Sequence, residues 1–350
     1  MRRHDAGELR TTVAAICRAA GSEDAEAAAI ARRLVDANLV GHDSHGVIRL
    51  SRYINDVRSG GVVANRHATV VLDTGALLVV DGNNGFGQVI GAEAMALAIA
   101  NARRLGACVL VLRHSAHLGR IGDWAEMAAD AGLASVHFVN VTGFGAARVA
   151  PFGGSDRRLG TNPIAAAVPR AEGGHITLDM ATSIVAEGKI AVAANRGYEV
   201  PDGWLLDAAG QPTRNPRDLY TDPGGALMPF GTYKGYGLSL FTDLLAGALT
   251  GGGGTSVEHT VKGRVENNML AVLVDPARAG DPLSFEVEMR RIVENVSASP
   301  PPEPGGKVLL PGDPERTTRA DRLANGIPIE DETWRQIVAA GESVGVTVAP

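Results

Sequence analysis

The stretch between residues 88 and 139 constrains the fold more tightly than any other part of the chain. Residues 88–105 are Ala-rich with helical spacing and stop at Gly106. Ala107 to Leu112 is an uninterrupted apolar run of strand length, the pattern of a strand covered on both faces. A helix over about 122–131 and a strand at Ser135–Val139 follow. A buried strand bracketed by helices needs a sheet with helical layers against it, so the spacing predicts an α/β chain.

The flanks agree with that class. Ala6 to about Val40 reads as helical, with Ser22-Glu23-Asp24 as a cap and acidic first turn. Gly41–Gly46 interrupts it, and a second helix over about Val47–Arg58 stops at Gly60-Gly61. Val70–Leu72 and Ala76–Asp81 look like paired strands. Ile164–Val168, Ile176–Asp179 and Met269–Val274 also read as strands. Leu238–Leu249 reads as a helix ended by Gly251–Gly254, and Asp331–Ser343 as a closing helix. Pro201–Pro216 is rich in turn residues, and Ser299–Gly306 works as a connector. The 44 glycines in 350 residues, about 13% against a usual ~7%, imply many tight turns, some able to approach a ligand closely. No internal repeat is evident.

Charge and cysteine content narrow the function. Thirty-three basic against 39 acidic residues give a net charge of −6, which argues against a surface that tracks nucleic-acid phosphates. Cys17 and Cys108 form no CxxC pair, so no disulfide framework is implied and a reducing compartment is expected. Polar helical sequence follows Met1-Arg2-Arg3 directly, and no 18-residue apolar window occurs. A soluble, cytoplasmic protein is the expectation.

Two segments share a pattern that carries chemistry. His42-Asp43-Ser44-His45 and His114-Ser115-Ala116-His117 each set two histidines three apart, with a glycine close behind. Imidazole titrates near neutrality and is the usual proton shuttle for a carbonyl/alcohol couple. Four nitrogens could also hold a metal for a hydrolase, although neither segment has the Glu of a zincin helix and no Cys is near. Arg49, four residues after His45, would share its face if a helix starts at Gly46, and a guanidinium holds a carboxylate by two parallel hydrogen bonds. His45 with Arg49 therefore fits a clamp for a 2-hydroxy or 2-oxo acid. Gly82-Asn83-Asn84-Gly85-Phe86-Gly87 has the spacing GxxGxG rather than GxGxxG and reads as turn chemistry. Gly188-Lys189 lacks the rest of a P-loop. Lys234 within Tyr233–Gly237, and the backbone of Leu310-Pro311-Gly312-Asp313, could each meet an anion.

Taken in order, these segments resemble the malate/L-lactate dehydrogenase family that is unrelated to the Rossmann-type enzymes. The matching stretches are GHDSHGVIRLSRY (41–53), DGNNGFGQVIGAEAM (81–95), HSAHLGRIGDWAEMAA (114–129), APFGGSDRRLGTNPIA (150–165), LDMATSIVAEGKI (178–190), YKGYGL (233–238), NNMLAVLVDP (267–276) and LLPGDPERTTRADRLANGIPI (308–328). They span nearly the whole chain, and the GHDSHG and HLGRIG wording resembles the hydroxycarboxylate dehydrogenase branch.

The resemblance implies a mixed α/β, non-Rossmann NAD(P)-binding fold with a large mixed sheet and helical N- and C-terminal segments. Residues 1–72 with 290–350 would form a discontinuous helical substrate and dimerisation domain, and 73–289 the NAD(P)-binding domain. It implies a homodimer, NAD or NADP as cofactor, no metal, and hydride transfer between nicotinamide and C2 of a small carboxylate substrate. His117 would be the general acid/base, donating as an imidazolium in reduction, with His45 beside cofactor and substrate oxygen. Arg49 would hold the carboxylate, with Ser44 and Tyr53 nearby. Gly119, Arg120, Ile121, Thr177, Leu178, Asp179, Met180, Ala181, Tyr233, Lys234, Asn268, Leu310, Pro311, Gly312 and Asp313 would line the dinucleotide, Arg120 at the pyrophosphate or a 2′-phosphate. Relatives that reduce cyclic imines make an imine carboxylate an alternative substrate. A non-catalytic dimeric binding protein is the remaining alternative, against which both histidines and Arg49 speak.

Overall fold

The computed structural model describes residues 2–143, 146–256, 265–303 and 305–348. At its centre lies a seven-stranded sheet in the order Thr69–Asp73, Leu77–Asp81, Ala107–Ser115, Glu266–Val274, Ala134–Thr142, Ile164–Pro169 and His175–Met180. Only Leu77–Asp81 and Ala107–Ser115 run parallel, joined through the helix Gly87–Leu105. All other pairs are antiparallel, so the sheet is mixed. The apolar run at 107–112 is the first two-thirds of the strand Ala107–Ser115.

The helices Gly87–Leu105 and Gly122–Asp130 cover the sheet with small and apolar residues. Ile90, Ala94, Met95 and Ala98 of the first meet Trp124, Ala125 and Ala128 of the second in one buried cluster. Gly91 permits the close crossing, since a Cβ there would come within 2.5 Å of the Trp124 ring. Truncating a side chain as enclosed as Met95 costs about 2–5 kcal/mol in such a core.

A second core is helical and joins distant parts of the chain. The helices Ala6–Ala19, Asp24–Leu39, Leu50–Arg58 and Asp331–Glu342 bring Leu9, Val13, Ile30, Leu34, Ile54 and Ile337 together. The strand Arg2–His4 pairs with Ile327–Ile329 beside them. A third, small core holds Val149, Ile190, Leu205 and Leu219 beneath the helix Glu187–Arg196 and a three-stranded sheet of two-residue strands.

Several boundaries differ from the expected ones for identifiable reasons. Glu23, not Ser22, takes the cap position before Asp24–Leu39, because the Ser22 hydroxyl is bonded to the Glu26 carboxylate at 2.7 Å. The helix expected at Leu238 begins at Tyr233 and closes as a π-helical turn, Asp243–Ala248. Gly235 is not a flexible spacer there: a Cβ would overlap the Phe230 carbonyl. Helices not anticipated include Glu187–Arg196, Pro282–Ser297, capped by the Asp281 carboxylate, and Asp313–Asn325. Among the described residues, no helix is long and apolar enough to cross a membrane.

Candidate active site

A cavity of about 1130 Å³ opens between the three cores, a little larger than the roughly 300–1,000 Å³ of most small-molecule sites. The helical core supplies Ser44, His45, Arg49, Arg52 and Tyr53. The sheet side supplies His117, Arg120, Ile121, Thr142 and Asp179–Ala181. The small core supplies Val185–Lys189, Trp204 and, from the loop beside it, Phe230.

The two His-x-x-His segments enter it by different routes. Asp43–His45 is a single 3₁₀ turn, and a second, Val47–Arg49, runs into the helix Leu50–Arg58. Asn38 clips this corner from the preceding helix: its amide donates to Asp43 at 2.6 Å and its carbonyl accepts from the Val47 N–H at 2.8 Å. Gly46 is required, because a Cβ would overlap the Asn38 amide. Arg322 holds the same Asp43 carboxylate with both terminal nitrogens. Ser44 Oγ lies 3.0 Å from His45 Nδ1, and Arg49 Nε donates to the Ser44 carbonyl at 2.6 Å. That contact brings the guanidinium back over the turn.

His114–His117 leaves the end of a strand. His114 sits in the left-handed region at φ 53°, held by its N–H on the Asn268 side-chain oxygen at 2.9 Å. The Leu118 N–H is held by Asn267 Oδ1 at 2.8 Å. Asn268 lies within a register shift in the pairing of Glu266–Val274 with Ala107–Ser115, and Asn267 stands at its edge. On the opposite side, the glycine-rich turn 82–87 cradles the loop. The Asn84 N–H donates to the His114 carbonyl at 2.8 Å and the Ala116 N–H to the Gly85 carbonyl at 3.1 Å. A Cβ at Gly87 would overlap the His117 carbonyl.

The second histidine of each segment faces its counterpart, while each first histidine meets carboxylates. The His45 and His117 rings stack with centroids 5.6 Å apart and planes 14° from parallel. His117 Nδ1 lies 2.7 Å from the Tyr53 hydroxyl, which also accepts from Gln88 Nε2 at 2.8 Å. His42 stands between Glu315 at 3.3 Å and Asp179 at 3.7 Å, and His114 lies 3.0 Å from Asp81. The four histidines therefore do not converge, and among the described residues no three His, Cys, Asp or Glu side chains gather as a metal set.

Burial sets the protonation states, with neighbouring charge adding to it or opposing it. Burial, with Arg49 and then His42 and Arg120 adding like charge, holds His45 down at about 3. Burial first, then Arg49, His45 and Arg52, holds His117 well below its ordinary value. Both rings are neutral at pH 7, so the imidazolium expected at His117 is not the form in the free protein. Burial pushes Tyr53 up to about 12 against the pull of Arg49, which keeps the phenol protonated.

The remaining predicted residues divide into two groups. Ser44, His45, Arg49, Tyr53, His117, Arg120, Ile121, Asp179, Met180 and Ala181 line the cavity together. Arg120 is engaged within the protein: Glu126 takes both terminal nitrogens at 2.9 and 2.7 Å, Asp123 lies at 3.1 Å and Asp179 at 3.3 Å. Gly119 lies just behind, at φ 75°, against Gln88. Thr177 is tied to the 310–313 loop through the Pro311 carbonyl at 3.3 Å, with Leu178 beside it partly exposed. Leu310, Gly312 and Asp313 belong to that loop, which reaches the cavity edge through the Glu315–His42 contact. Tyr233 and Lys234 stand outside the lining; Tyr233 is exposed and meets Phe152 edge-on at 6.2 Å. Asn268 is fully buried, its amide nitrogen on Asn140 and Thr142.

The donor set suits a nicotinamide dinucleotide. Asp179 Oδ2 is ion-paired with Arg120 at 3.3 Å but accepts no well-aligned hydrogen bond, which leaves it able to take one from a ribose hydroxyl. Thr142, Thr161 and Ser183 add hydroxyls, Ile121, Met180 and Val185 add apolar wall, and Arg49, Arg52, Arg148 and Lys189 add positive charge. Gly188 lets the helix Glu187–Arg196 approach Ser44, where a Cβ would come within 3.1 Å.

Comparison with known proteins gives a consistent picture. The family model for malate/L-lactate dehydrogenase matches residues 4–338. Hydroxycarboxylate dehydrogenase B of Escherichia coli K12 is 40% identical over 346 residues, 98% of this chain and 95% of its own. Among solved structures, the sulfolactate dehydrogenase of Methanocaldococcus jannaschii superposes with a TM-score of 0.88 at 30% identity, covering 99% of this chain and 98% of that one. The Δ1-piperideine-2-carboxylate reductase of Pseudomonas syringae pv. tomato gives 0.84 at 30% identity, covering 97% of this chain and 100% of that one.

Proposed function

This chain belongs to the malate/L-lactate dehydrogenase family, and from that premise we propose that it reduces a small 2-oxo acid to the 2-hydroxy acid, and the reverse, with His117 as proton donor and acceptor. The family's members are nicotinamide-dependent hydroxyacid dehydrogenases, and the chain is an oxidoreductase of that class. The observation that carries the residue assignment is the meeting of His45, Arg49 and His117 at one cavity wall.

Arg49 binds the carboxylate. Its Nε is committed to Ser44, which leaves the two terminal nitrogens for a paired contact. Ser44 and His45 stand beside it and orient the 2-oxo group toward His117. Ile121, Asp179, Met180, Ala181 and Val185 hold the dinucleotide, which supplies a hydride to C2 when bound. His117 gives the proton to the carbonyl oxygen, completing the alcohol. In the free protein the ring is neutral; a carboxylate on Arg49 offsets the nearest positive charge and moves His117 back toward its ordinary value, so the charged donor forms in the complex.

The division into a helical unit (1–72 with 290–350) and a dinucleotide unit (73–289) belongs to the same reading, supported by the separate helical and sheet cores. So does a homodimer, favoured by the exposed Leu238, Phe241, Leu244 and Leu249 along one helical stretch, and checked by sedimentation. The test of the reaction is a panel of 2-oxo acids and cyclic imine carboxylates with NADH and NADPH in parallel. Turnover of 2-oxo acids is expected. Turnover of cyclic imines alone would shift the assignment to the imine reading, which the piperideine carboxylate reductase similarity favours; no turnover of either would overturn both.

A further inference from the structure

Behind His117 lies a hydrogen-bond chain that ends inside the protein. Tyr53 and Gln88 are 3% and 1% exposed, and the Tyr53 oxygen sits between Gln88 Nε2 at 2.8 Å and His117 Nδ1 at 2.7 Å. The direction of that chain follows from one backbone atom. Gln88 Nε2 also faces the His117 carbonyl at 3.4 Å, and that carbonyl can only accept. Turning the amide over would set two oxygens against each other, so the nitrogen stays on this side, and Oε1 is left without a partner.

With Gln88 donating, the Tyr53 oxygen accepts, and its own proton goes to His117 Nδ1. Nδ1 is then an acceptor, and a neutral imidazole must carry its proton on Nε2. We propose that Gln88, acting through Tyr53, is the positioning residue that sets the tautomer of His117: Nε2–H in the free protein, with Nδ1 held as an acceptor. Gly87 and Gly119 make room for this arrangement, since a Cβ at the first would overlap the His117 carbonyl and at the second would press within 3.3 Å of the Gln88 amide.

The consequence deepens the proposed reaction and rests on that reading. An Nε2–H is matched to a carbonyl oxygen, which accepts, so the free protein is set to recognise the 2-oxo acid. The charged donor of reduction and the bare Nε2 of oxidation both carry a proton on Nδ1, so Tyr53 must turn its own proton away before either transfer. The charged groups facing His117 are Arg49 and Arg52, with His45 stacked on it. None of them accepts from Nδ1, so the tautomer is left to the Tyr53–Gln88 chain.

The test is the nitrogen spectrum of ¹⁵N-histidine-labelled full-length protein at neutral pH without substrate, with His117 assigned by its loss in His117→Asn. An unprotonated Nδ1 and a protonated Nε2 are expected, whatever the enzyme turns over, so failure here is separable from failure of the reaction. In Gln88→Leu the two forms mix. The KM for the 2-oxo acid rises up to about tenfold, the loss of one hydrogen bond, while kcat changes less. The alkaline limb of its reduction profile moves upward because Tyr53 is freed to accept from a charged ring. Gln88→Asn leaves the chain broken, whereas Gln88→His, which can donate, brings KM part of the way back. A wild-type spectrum with the proton on Nδ1, or one unchanged by Gln88→Leu, overturns the proposal; the wild-type spectrum decides even where a variant fails to fold.

Discussion

His42–His45 and His114–His117 are alike in sequence and unlike in how they are held. Each sends its second histidine into the cavity and sets its first on carboxylates, His42 at the cavity wall and His114 away from it. The first segment is fastened by Asn38, five residues from Asp43, and by Arg322 from the far end of the chain on the same carboxylate. The second is fastened from far away, by Asn267 and Asn268 on a strand roughly 150 residues later and by the glycine turn 82–87. The first segment carries the substrate clamp with the helical core, and the second carries the proton donor with the sheet. Bringing the two rings to 5.6 Å is what joining the two cores achieves.

The largest break in this comparison is expected from the donor side. His117→Asn should lower kcat about 10²–10⁴-fold with dinucleotide affinity, read by fluorescence titration, little changed; full turnover would remove His117 from its role. On the clamp side, Arg49→Lys should raise KM for the 2-oxo acid by roughly 10–100-fold while kcat changes less, since charged hydrogen bonds are worth about 1.5–3 kcal/mol. An unchanged KM would sink the clamp.

The fastenings come next. Asn267→Ala leaves the buried Leu118 N–H without a partner, at a cost of about 1–3 kcal/mol. A lower melting temperature and a lower kcat are expected together, because the loop carries His117. Asn38→Ala should destabilise comparably but act on KM, since its segment carries Arg49. If both variants changed the same kinetic constant, the division of labour would be wrong.

Acidification should weaken both segments at once. His45 has a folded value near 3 and His117 one well below 6.5, so the unfolded chain binds more protons as pH falls below about 6.5. Stability from the neutral rings is complete above that value and is lost progressively toward pH 3. His45→Gln should flatten the melting temperature against pH in this window. A profile as steep as the wild type's would place the acid sensitivity elsewhere, for instance at buried His137. The smallest effect is expected from His114→Asn, whose partly exposed contact with Asp81 is worth at most about 1 kcal/mol.

Much of this was legible in the chain. The apolar run at 107–112, the paired strands at 70–81 and the two histidine pairs announce themselves by period and spacing, because those are local properties. Gln88 and Asn267 do not: their roles exist only through Tyr53, His117 and Leu118, which folding brings from elsewhere. The glycine turn at 82–87 was readable as a turn but not as the cradle of a loop 30 residues on. Asn268, expected against the dinucleotide, spends its amide on Asn140 and Thr142, and Tyr53 spends its hydroxyl on His117. The helix Asp313–Asn325 had a usable signal in Asp313-Pro314-Glu315, an acidic first turn with proline at its start.

The most direct measurement is a crystal structure with a nicotinamide dinucleotide and a 2-oxo acid analogue that cannot be reduced. The account predicts the analogue's carboxylate on the Arg49 guanidinium, its 2-oxygen within hydrogen-bond reach of His117 Nε2, and the pyridine ring against the wall formed by Ile121 and Met180. A carboxylate bound away from Arg49, or a pyridine ring remote from residues 45, 49 and 117, would contradict it.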